Sequence, residues 1–237
     1  MLMLVQWIEI RSDIMNCLVA CEESQAITIE LRKLGHNAFS CDLLDCSGGY
    51  PEYHYKCDCL DIIDCCTSFK TCDGITHKIS DSFDLVICHP PCTYLSFAGN
   101  KYLNIDKYGD KALLRYELRE QAFEFAMRLF NCSSEHVVME NPKGYINSKF
   151  RSADQIINPF LFGDPFYKVT CLWLRGLPLL VPDYQIPAPE PLYIQDNGKK
   201  RFWVETVSGA NRAYLRSKTF PGIARAMAWQ FTNNFFI

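Results

Sequence analysis

An α/β fold, with a mostly parallel sheet flanked by helices and a small irregular lobe, is what this 237-residue chain predicts. Three observations carry that prediction. The chain opens with a strand, Cys17-Leu18-Val19-Ala20-Cys21, a helix over Gln25 to Leu34, and a second strand, Ala38-Phe39-Ser40-Cys41, which is the β-α-β unit of parallel sheets. Two later apolar runs, Leu85-Val86-Ile87-Cys88 and His136-Val137-Val138-Met139, read as strands buried on both faces. Both runs stop at proline-bearing loops, His89-Pro90-Pro91-Cys92 and Glu140-Asn141-Pro142, because proline donates no N–H to extend a ladder.

Between these landmarks the remaining elements follow. Ser24 is placed to cap the first helix, whose apolar residues are Ile27, Leu31 and Leu34, with Gly35 just past its end. The second strand stops at Asp42. Ser47-Gly48-Gly49 is a loop, Tyr53 to Cys57 a third strand ending at Asp58, and residues 67–80 a hairpin turning at Asp73-Gly74. Ser96-Phe97-Ala98-Gly99-Asn100 reads as a mobile loop. A long helix covers Lys111 to Phe130, with an apolar stripe through Leu114, Leu118, Phe123, Ala126 and Leu129-Phe130. A further strand is expected at Thr170-Cys171-Leu172-Trp173-Leu174, and the proline-dense stretch from Pro178 to Pro191 is expected to be irregular. Trp173, Phe202 and Trp203 are assigned to the core, and Pro221 opens a last helix running to about Thr232. The reading is one domain over 1–237, with 143–210 as a small irregular lobe or insertion suited to substrate recognition.

Composition bounds the functions open to such a fold. The chain is 49% hydrophobic and 14% aromatic with a net charge of −3, which argues against a protein that coats nucleic acid indiscriminately but leaves room for a local basic groove. No apolar run approaches the 18 residues of a membrane span, and the first ten residues lack the basic leader of a signal peptide. The first 14 residues read as a dispensable extension before Met15. Thirteen cysteines in this context are expected to be reduced thiols in the cytoplasm. The group Cys57, Cys59, Cys65, Cys66 and Cys72 with His77 lacks the C-x2-C spacing of zinc knuckles, so no metal is assigned.

The two proline loops are where chemistry is expected. Ligands of open α/β sheets bind outside the carboxyl ends of the strands, and prolines hold Cys92 rigidly there. One rigid thiol and one rigid carboxylate, Glu140, at two strand ends suit covalent catalysis on an electrophilic ring. Asp42 stands where an acid accepts hydrogen bonds from a ribose. The first turn, Cys21-Glu22-Glu23-Ser24-Gln25, lacks the glycines of a dinucleotide site. Its glutamates repel a pyrophosphate and favour an amino-bearing ligand such as S-adenosylmethionine.

These residues together resemble the cytosine carbon-5 DNA methyltransferases, in particular the compact phage-encoded methyltransferase-like proteins. Pro91-Cys92 looks like the catalytic Pro-Cys of that family, Glu140-Asn141-Pro142 like its Glu-Asn dipeptide, and Ser217-Lys218-Thr219-Phe220-Pro221-Gly222-Ile223-Ala224 like its last motif. The resemblance spans roughly Cys17 to Phe231 and implies a Rossmann-like methyltransferase fold. It implies Cys92 and Glu140 as catalytic residues and S-adenosylmethionine as cofactor, held by Cys21, Glu22, Glu23, Asp42, Asp58, Pro90 and Ser217. It implies a DNA or nucleotide substrate contacted by Pro91, Thr93, Asn141, Lys168 and Thr170. The family's glycine-rich first motif and its Gln-x-Arg-x-Arg motif are absent, with Lys168-Val169-Thr170 in the place of the latter. Its large target-recognition domain is missing too. Two rival readings stand beside this one: an exocyclic-amino methyltransferase, whose Asp/Asn-Pro-Pro-aromatic motif is near His89-Pro90-Pro91-Cys92, and a non-catalytic binding module on the same fold.

Overall fold

The structure is a computed structural model that describes residues 14–64, 68–79, 82–209 and 218–233. Its centre is a seven-stranded sheet. Strands β1 (Asn16–Ala20), β2 (Asn37–Asp42) and β3 (His54–Lys56) lie side by side, all parallel; β4 (Ser68–Lys70) and β5 (Thr76–Lys78) form the expected hairpin apart from it. β6 (Leu85–Cys88) returns to the other side of β1, and β7 (His136–Asn141) lies parallel beside β6. β8 (Gln155–Ile157) and β9 (Thr170–Arg175) complete the sheet, β9 antiparallel to both β7 and β8. The order is β3-β2-β1-β6-β7-β9-β8. Strand order therefore reverses between β1 and β6, where ligands enter open sheets of this kind. Both β8 and β9 fall within 143–210, so that stretch contributes to the central sheet before it turns irregular.

Why β6 is a strand is plain from its surroundings: all four of its side chains are buried, so both faces need apolar residues. One face carries Leu18, Phe39, Cys41, Val86, Val137, Met139 and Trp173 against α3 (Asp110–Phe130) through Ala126, Leu129 and Phe130. The other carries Cys17, Val19, Leu85, Ile87, Val138 and Leu172 against α1 (Ala26–Lys33) and α6 (Pro221–Asn233), through Ile27, Leu31, Ile223, Met227 and Phe231. Each large aliphatic side chain buried this way contributes about 1.5–3 kcal/mol. Two short helices, α2 (Ile105–Tyr108) and α4 (Tyr145–Lys149), follow the two proline loops, and a small hairpin, β10 (Tyr193–Ile194) with β11 (Lys200–Arg201), leads to α5 (Trp203–Thr206). No helix among the described residues is long and apolar enough to cross a membrane.

Several sequence expectations need correction. Ser24 makes no cap; the left-handed Gln25 (φ 58°) precedes α1, and the Glu22 carboxylate does the capping. Ser96–Asn100 is not an open loop, because Phe97–Leu103 forms a 3-10 segment. Leu114 faces out, at 54% exposure, and Trp203 is 44% exposed rather than core. Trp173, by contrast, is fully buried.

Candidate active site

Every part of the candidate site hangs from the carboxyl edge of the sheet. β6 ends at Cys88, opposite Met139 of β7, so the residues just beyond, His89 and Glu140, become neighbours. His89 prolongs the strand by donating its backbone N–H to the Ala20 carbonyl at 3.0 Å. Its Nδ1 lies 3.0 Å from Glu140 Oε2, and the two side chains are only 14% and 13% exposed. Burial by itself would push the histidine pKa down. The hydrogen bond and charge of Glu140, with the field of Glu22, outweigh it and raise the value. Burial would likewise raise Glu140, but the His89 hydrogen bond and charge, helped by Lys168, hold it below the ordinary carboxylate value. The proton of the pair therefore resides on His89. His89 Nε2 is buried without a hydrogen-bond partner among the described residues.

The loop after His89 is held from four directions. Asn141 Nδ2 donates to the Pro90 carbonyl at 2.7 Å, locking the loop to the end of β7. Past Cys92 the backbone makes a turn in which the Cys92 carbonyl accepts from Leu95 and Ser96. Tyr145 N–H donates to Leu95 O at 2.6 Å and Ser96 bridges Gly144, so this loop and the loop after β7 are zipped together. That approach explains Gly144: a Cβ there would sit 2.0 Å from Leu95 O. From α3, Arg115 and Arg119, one turn apart, grip the carbonyls of Thr93 and Tyr94 at 2.9 and 3.1 Å. The result is a stiff loop that presents Pro91, Cys92 and Thr93 to solvent, the preorganisation a nucleophile needs.

The predicted site residues on this side fall together. Cys92 and Glu140 stand at adjacent strand ends, Cys92 exposed. Pro90 is buried and Asn141 is 2% exposed, its Oδ1 without a partner among the described residues. β9 runs antiparallel, so its first residues reach the same edge: Asn141 pairs with Cys171. Thr170 is buried and donates its hydroxyl to the Lys168 carbonyl at 3.3 Å, so it shapes the segment that carries Lys168. Lys168 is the one of the two with a field on the His89–Glu140 pair.

On the other side of the switch point stand the predicted cofactor residues. Glu22 is 3% exposed, and its carboxylate accepts from Ile27 N–H (2.7 Å), Thr28 N–H (3.3 Å) and Thr28 Oγ1 (2.8 Å). It is a built-in helix cap, and burial raises its pKa despite those bonds and the field of His89. Glu23 accepts from Ser47 Oγ, which holds the 47–50 loop against the first turn. Asp42, at the end of β2, is half-buried and its pKa is raised by burial; one oxygen accepts from Leu44 N–H at 3.0 Å. Asp58 is exposed beyond β3 and accepts from Leu60 N–H at 2.9 Å. In each aspartate the second oxygen makes no hydrogen bond among the described residues. Two strand-end carboxylates, each with one oxygen unbonded among the described residues, could accept from the hydroxyl and amino groups of an adenosine; Glu22, 3% exposed and accepting three hydrogen bonds, is committed to the helix end. Ser217 lies outside the described residues.

Cysteines line the floor of this side. Cys21, itself left-handed (φ 60°), donates its N–H to Cys59 Sγ at 3.3 Å, and the two sulfurs are 3.8 Å apart; Cys41 and Cys57 sulfurs are 3.6 Å apart. Hydrogen bonds from Cys21 and Cys41 hold the Cys59 thiol well below its ordinary value; the bond to Cys59 and burial drive Cys21 up, and the bonds to Cys57 and Cys59 with burial drive Cys41 up. Among the described residues no group of three or more metal-ligating side chains stands close enough to hold an ion; Cys65 and Cys66 lie outside those residues.

Three candidate residues escaped the sequence. His89 is adjacent to the proline pair, and only the register of β6 on β7 shows that it faces Glu140. Arg115 and Arg119 left a faint trace, an i, i+4 pair of arginines on a helix that follows the loop. No protein-family model matches the chain, and no curated protein shows significant similarity to it.

Proposed function

We propose that this chain is an S-adenosylmethionine-dependent methyltransferase that modifies cytosine carbon 5 in DNA through covalent addition of Cys92. The observation that carries the reading is the pairing of an exposed thiol, on a loop pinned by prolines and arginines, with a buried acid–imidazole pair from the same two strand ends. The strand order, reversing between β1 and β6, supports a Rossmann-like methyltransferase fold.

In this reading the Cys92 thiolate adds to ring carbon 6, and the electron pair of the 5,6 double bond shifts to make carbon 5 nucleophilic. Negative charge then builds on ring nitrogen 3. Glu140, ionised beside His89, accepts from the exocyclic amino group, and the proton held between the two residues neutralises nitrogen 3. His89 thus supplies what a lone ionised carboxylate lacks, a transferable proton. S-adenosylmethionine, held at Asp42 and Asp58, supplies an electrophilic methyl group when bound. After carbon 5 has taken that group, a base removes its proton, the 5,6 double bond re-forms as the thiolate leaves, and the nitrogen 3 proton returns to the Glu140–His89 pair. Lys168 adds positive field at the same edge. A flipped-out target costs a few kcal/mol of lost stacking in duplex DNA, less in a single strand.

The test is substitution of the thiol. Cys92→Ser is expected to abolish transfer of labelled methyl groups to DNA and to eliminate the covalent adduct with 5-fluorocytosine-containing DNA. Full transfer by the serine variant would move the assignment to exocyclic-amino methylation, and loss of S-adenosylmethionine binding heat in the wild type would leave only a binding module.

A further inference from the structure

Beside the Cys92 loop the surface opens into a groove of about 440 Å³ between that loop, the 3-10 segment Phe97–Leu103, α2 and α3, lined by Tyr94, Tyr102, Tyr108, Lys111, Leu114 and Arg115. That volume falls in the range of small-ligand sites. Its chemistry is aromatic faces interleaved with cations. The Tyr102 and Tyr108 ring centroids are 5.7 Å apart at 53°. Lys101 and Lys107 lie over those two rings at 4.9 and 5.4 Å, and the Arg115 guanidinium lies 5.0 Å from the Tyr94 ring and 5.3 Å from that of Tyr102. The arginine is a built-in part rather than a passing surface contact. A Cβ on Gly99 would meet its Nη2 at 2.4 Å, so the glycine makes the room it occupies. Nη2 is bolted to Thr93 O, one residue from Cys92, while its Nε is buried without a hydrogen-bond partner among the described residues.

Cations also outnumber acids on this flank by a small margin, with Glu120 the next acid along α3. From 101 to 119 stand Lys101, Lys107, Lys111, Arg115 and Arg119 against Asp106, Asp110 and Glu117, while the whole chain carries −3. Tyr102 is 43% exposed and Leu114 54% exposed, so the floor and wall of the groove present apolar surface that the fold itself leaves uncovered. Aromatic faces capped by flexible lysines that a base can displace, beside an arginine tied to the loop bearing the nucleophile, match a nucleotide: a base to stack and a phosphate to neutralise.

We propose that this groove binds the nucleotide adjacent to the target pyrimidine in a single-stranded nucleic acid. The inference rests on the reading of Cys92 as the group that meets the target ring, and it names the substrate class of that site. A strand whose target base reaches Cys92 lays its neighbour against Tyr102 and Tyr108 in place of the Lys101 and Lys107 chains, with Lys111 and Arg115 toward the connecting phosphate. Stacking platforms of this kind tolerate any base, so the groove supplies affinity and register without a long recognition sequence.

The experiment is fluorescence anisotropy of a short fluorescein-labelled single-stranded oligodeoxynucleotide carrying one cytosine, titrated with the full chain, run alongside methyl transfer. Replacing Tyr102 and Tyr108 together by alanine is expected to weaken binding roughly 5- to 150-fold, the range for loss of one stacked base. The corresponding double phenylalanine variant keeps the ring faces and is expected to bind as wild type, which separates lost stacking from a misfolded protein. Lys111→Gln is expected to lower the slope of log affinity against log salt by about 0.7, the value for one phosphate contact on a single strand. Unchanged affinity in the alanine variant overturns the inference, as does tighter binding of the matching duplex. Methyl transfer to free deoxycytidine monophosphate by a wild type that binds no oligonucleotide also overturns it, while leaving the Cys92 reading intact. Groove-dependent binding in a protein whose Cys92→Ser variant still transfers methyl groups upholds the groove and removes the covalent mechanism instead.

Discussion

At the β6–β7 end of the sheet edge, the one titratable acid reaches across to a neighbouring strand for its partner: Glu140 meets His89 at 3.0 Å. At the β1–β3 end the acids find theirs close by in the chain. Glu22 caps the helix that starts a few residues later, Asp42 accepts from Leu44, and Asp58 accepts from Leu60. The electrostatic outcome differs accordingly. Glu140 is held ionised by a cation, whereas burial raises Glu22 and Asp42 because nothing cationic adjoins them as closely. One end of the edge pairs its acid with a histidine from the next strand, and the other uses its acids to hold backbone turns in place. Two parts of one sheet edge thus hold their carboxylates by different kinds of partner.

That contrast breaks most visibly at Glu140. Glu140→Gln removes the carboxylate proposed to accept from the substrate and the counter-ion that keeps His89 charged, so methyl transfer is expected to fall by roughly 10²- to 10⁴-fold. A single-turnover assay with labelled cofactor reads it; a loss under tenfold would mean the pair carries no proton in the reaction.

The next effect concerns stability. His89 has a raised folded pKa, so its contribution is complete below its ordinary value of 6.5 and fades as pH climbs through the raised value. Glu140 has a depressed folded pKa, so its contribution is complete above 4.5 and is lost as pH drops through the depressed value. Between about 4.5 and 6.5 both are in force. His89→Asn is expected to cost about 3 kcal/mol in that window, since it leaves a buried carboxylate unpaired, with the gap to wild type narrowing on either side. Urea denaturation across pH measures it, and a gap that does not change with pH would contradict the ion pair.

The smallest effect sharpens the other end. Glu22→Gln is expected to destabilise the fold by about 1–2 kcal/mol through its lost helix cap, with S-adenosylmethionine affinity unchanged in the folded protein. Asp42→Asn is expected to do the reverse, leaving the unfolding midpoint in place and weakening affinity roughly tenfold or more by calorimetry. If Glu22→Gln lost affinity while keeping its midpoint, the division between capping and ligand-holding acids would be wrong.

Elements were legible wherever a local pattern carried them. The β-α-β opening, the hairpin at Asp73-Gly74, the helix from 110 to 130 and the helix opened by Pro221 all stand close to where their residues predict. Misreadings came where a distant partner decided. Ser24 looked like the cap because it precedes the helix, yet Glu22 reaches over it. Leu114 fits the apolar stripe of α3, but what lies above that turn is the tyrosine groove. Ser96–Asn100 has a loop's composition, and becomes a 3-10 segment because Arg115 and Arg119 clamp the backbone before it. Trp203 is aromatic enough for a core, but its ring lies beside Phe166, which in turn packs on Phe220, leaving one side open.

Residue order alone determined the class of fold, the two proline-terminated strands and the placing of a thiol and an acid just beyond their ends, because strand length, burial and proline's missing donor are local properties. Which side chains would meet was decided only by packing. The register of β6 on β7 brings His89 against Glu140 and changes the acid from a lone carboxylate into half of a proton-sharing pair. The absence of a Cβ at Gly144 lets the two loops touch. Such pairings depend on how strands far apart in the chain align, and a one-residue slip in that alignment would turn every one of these groups to the opposite face.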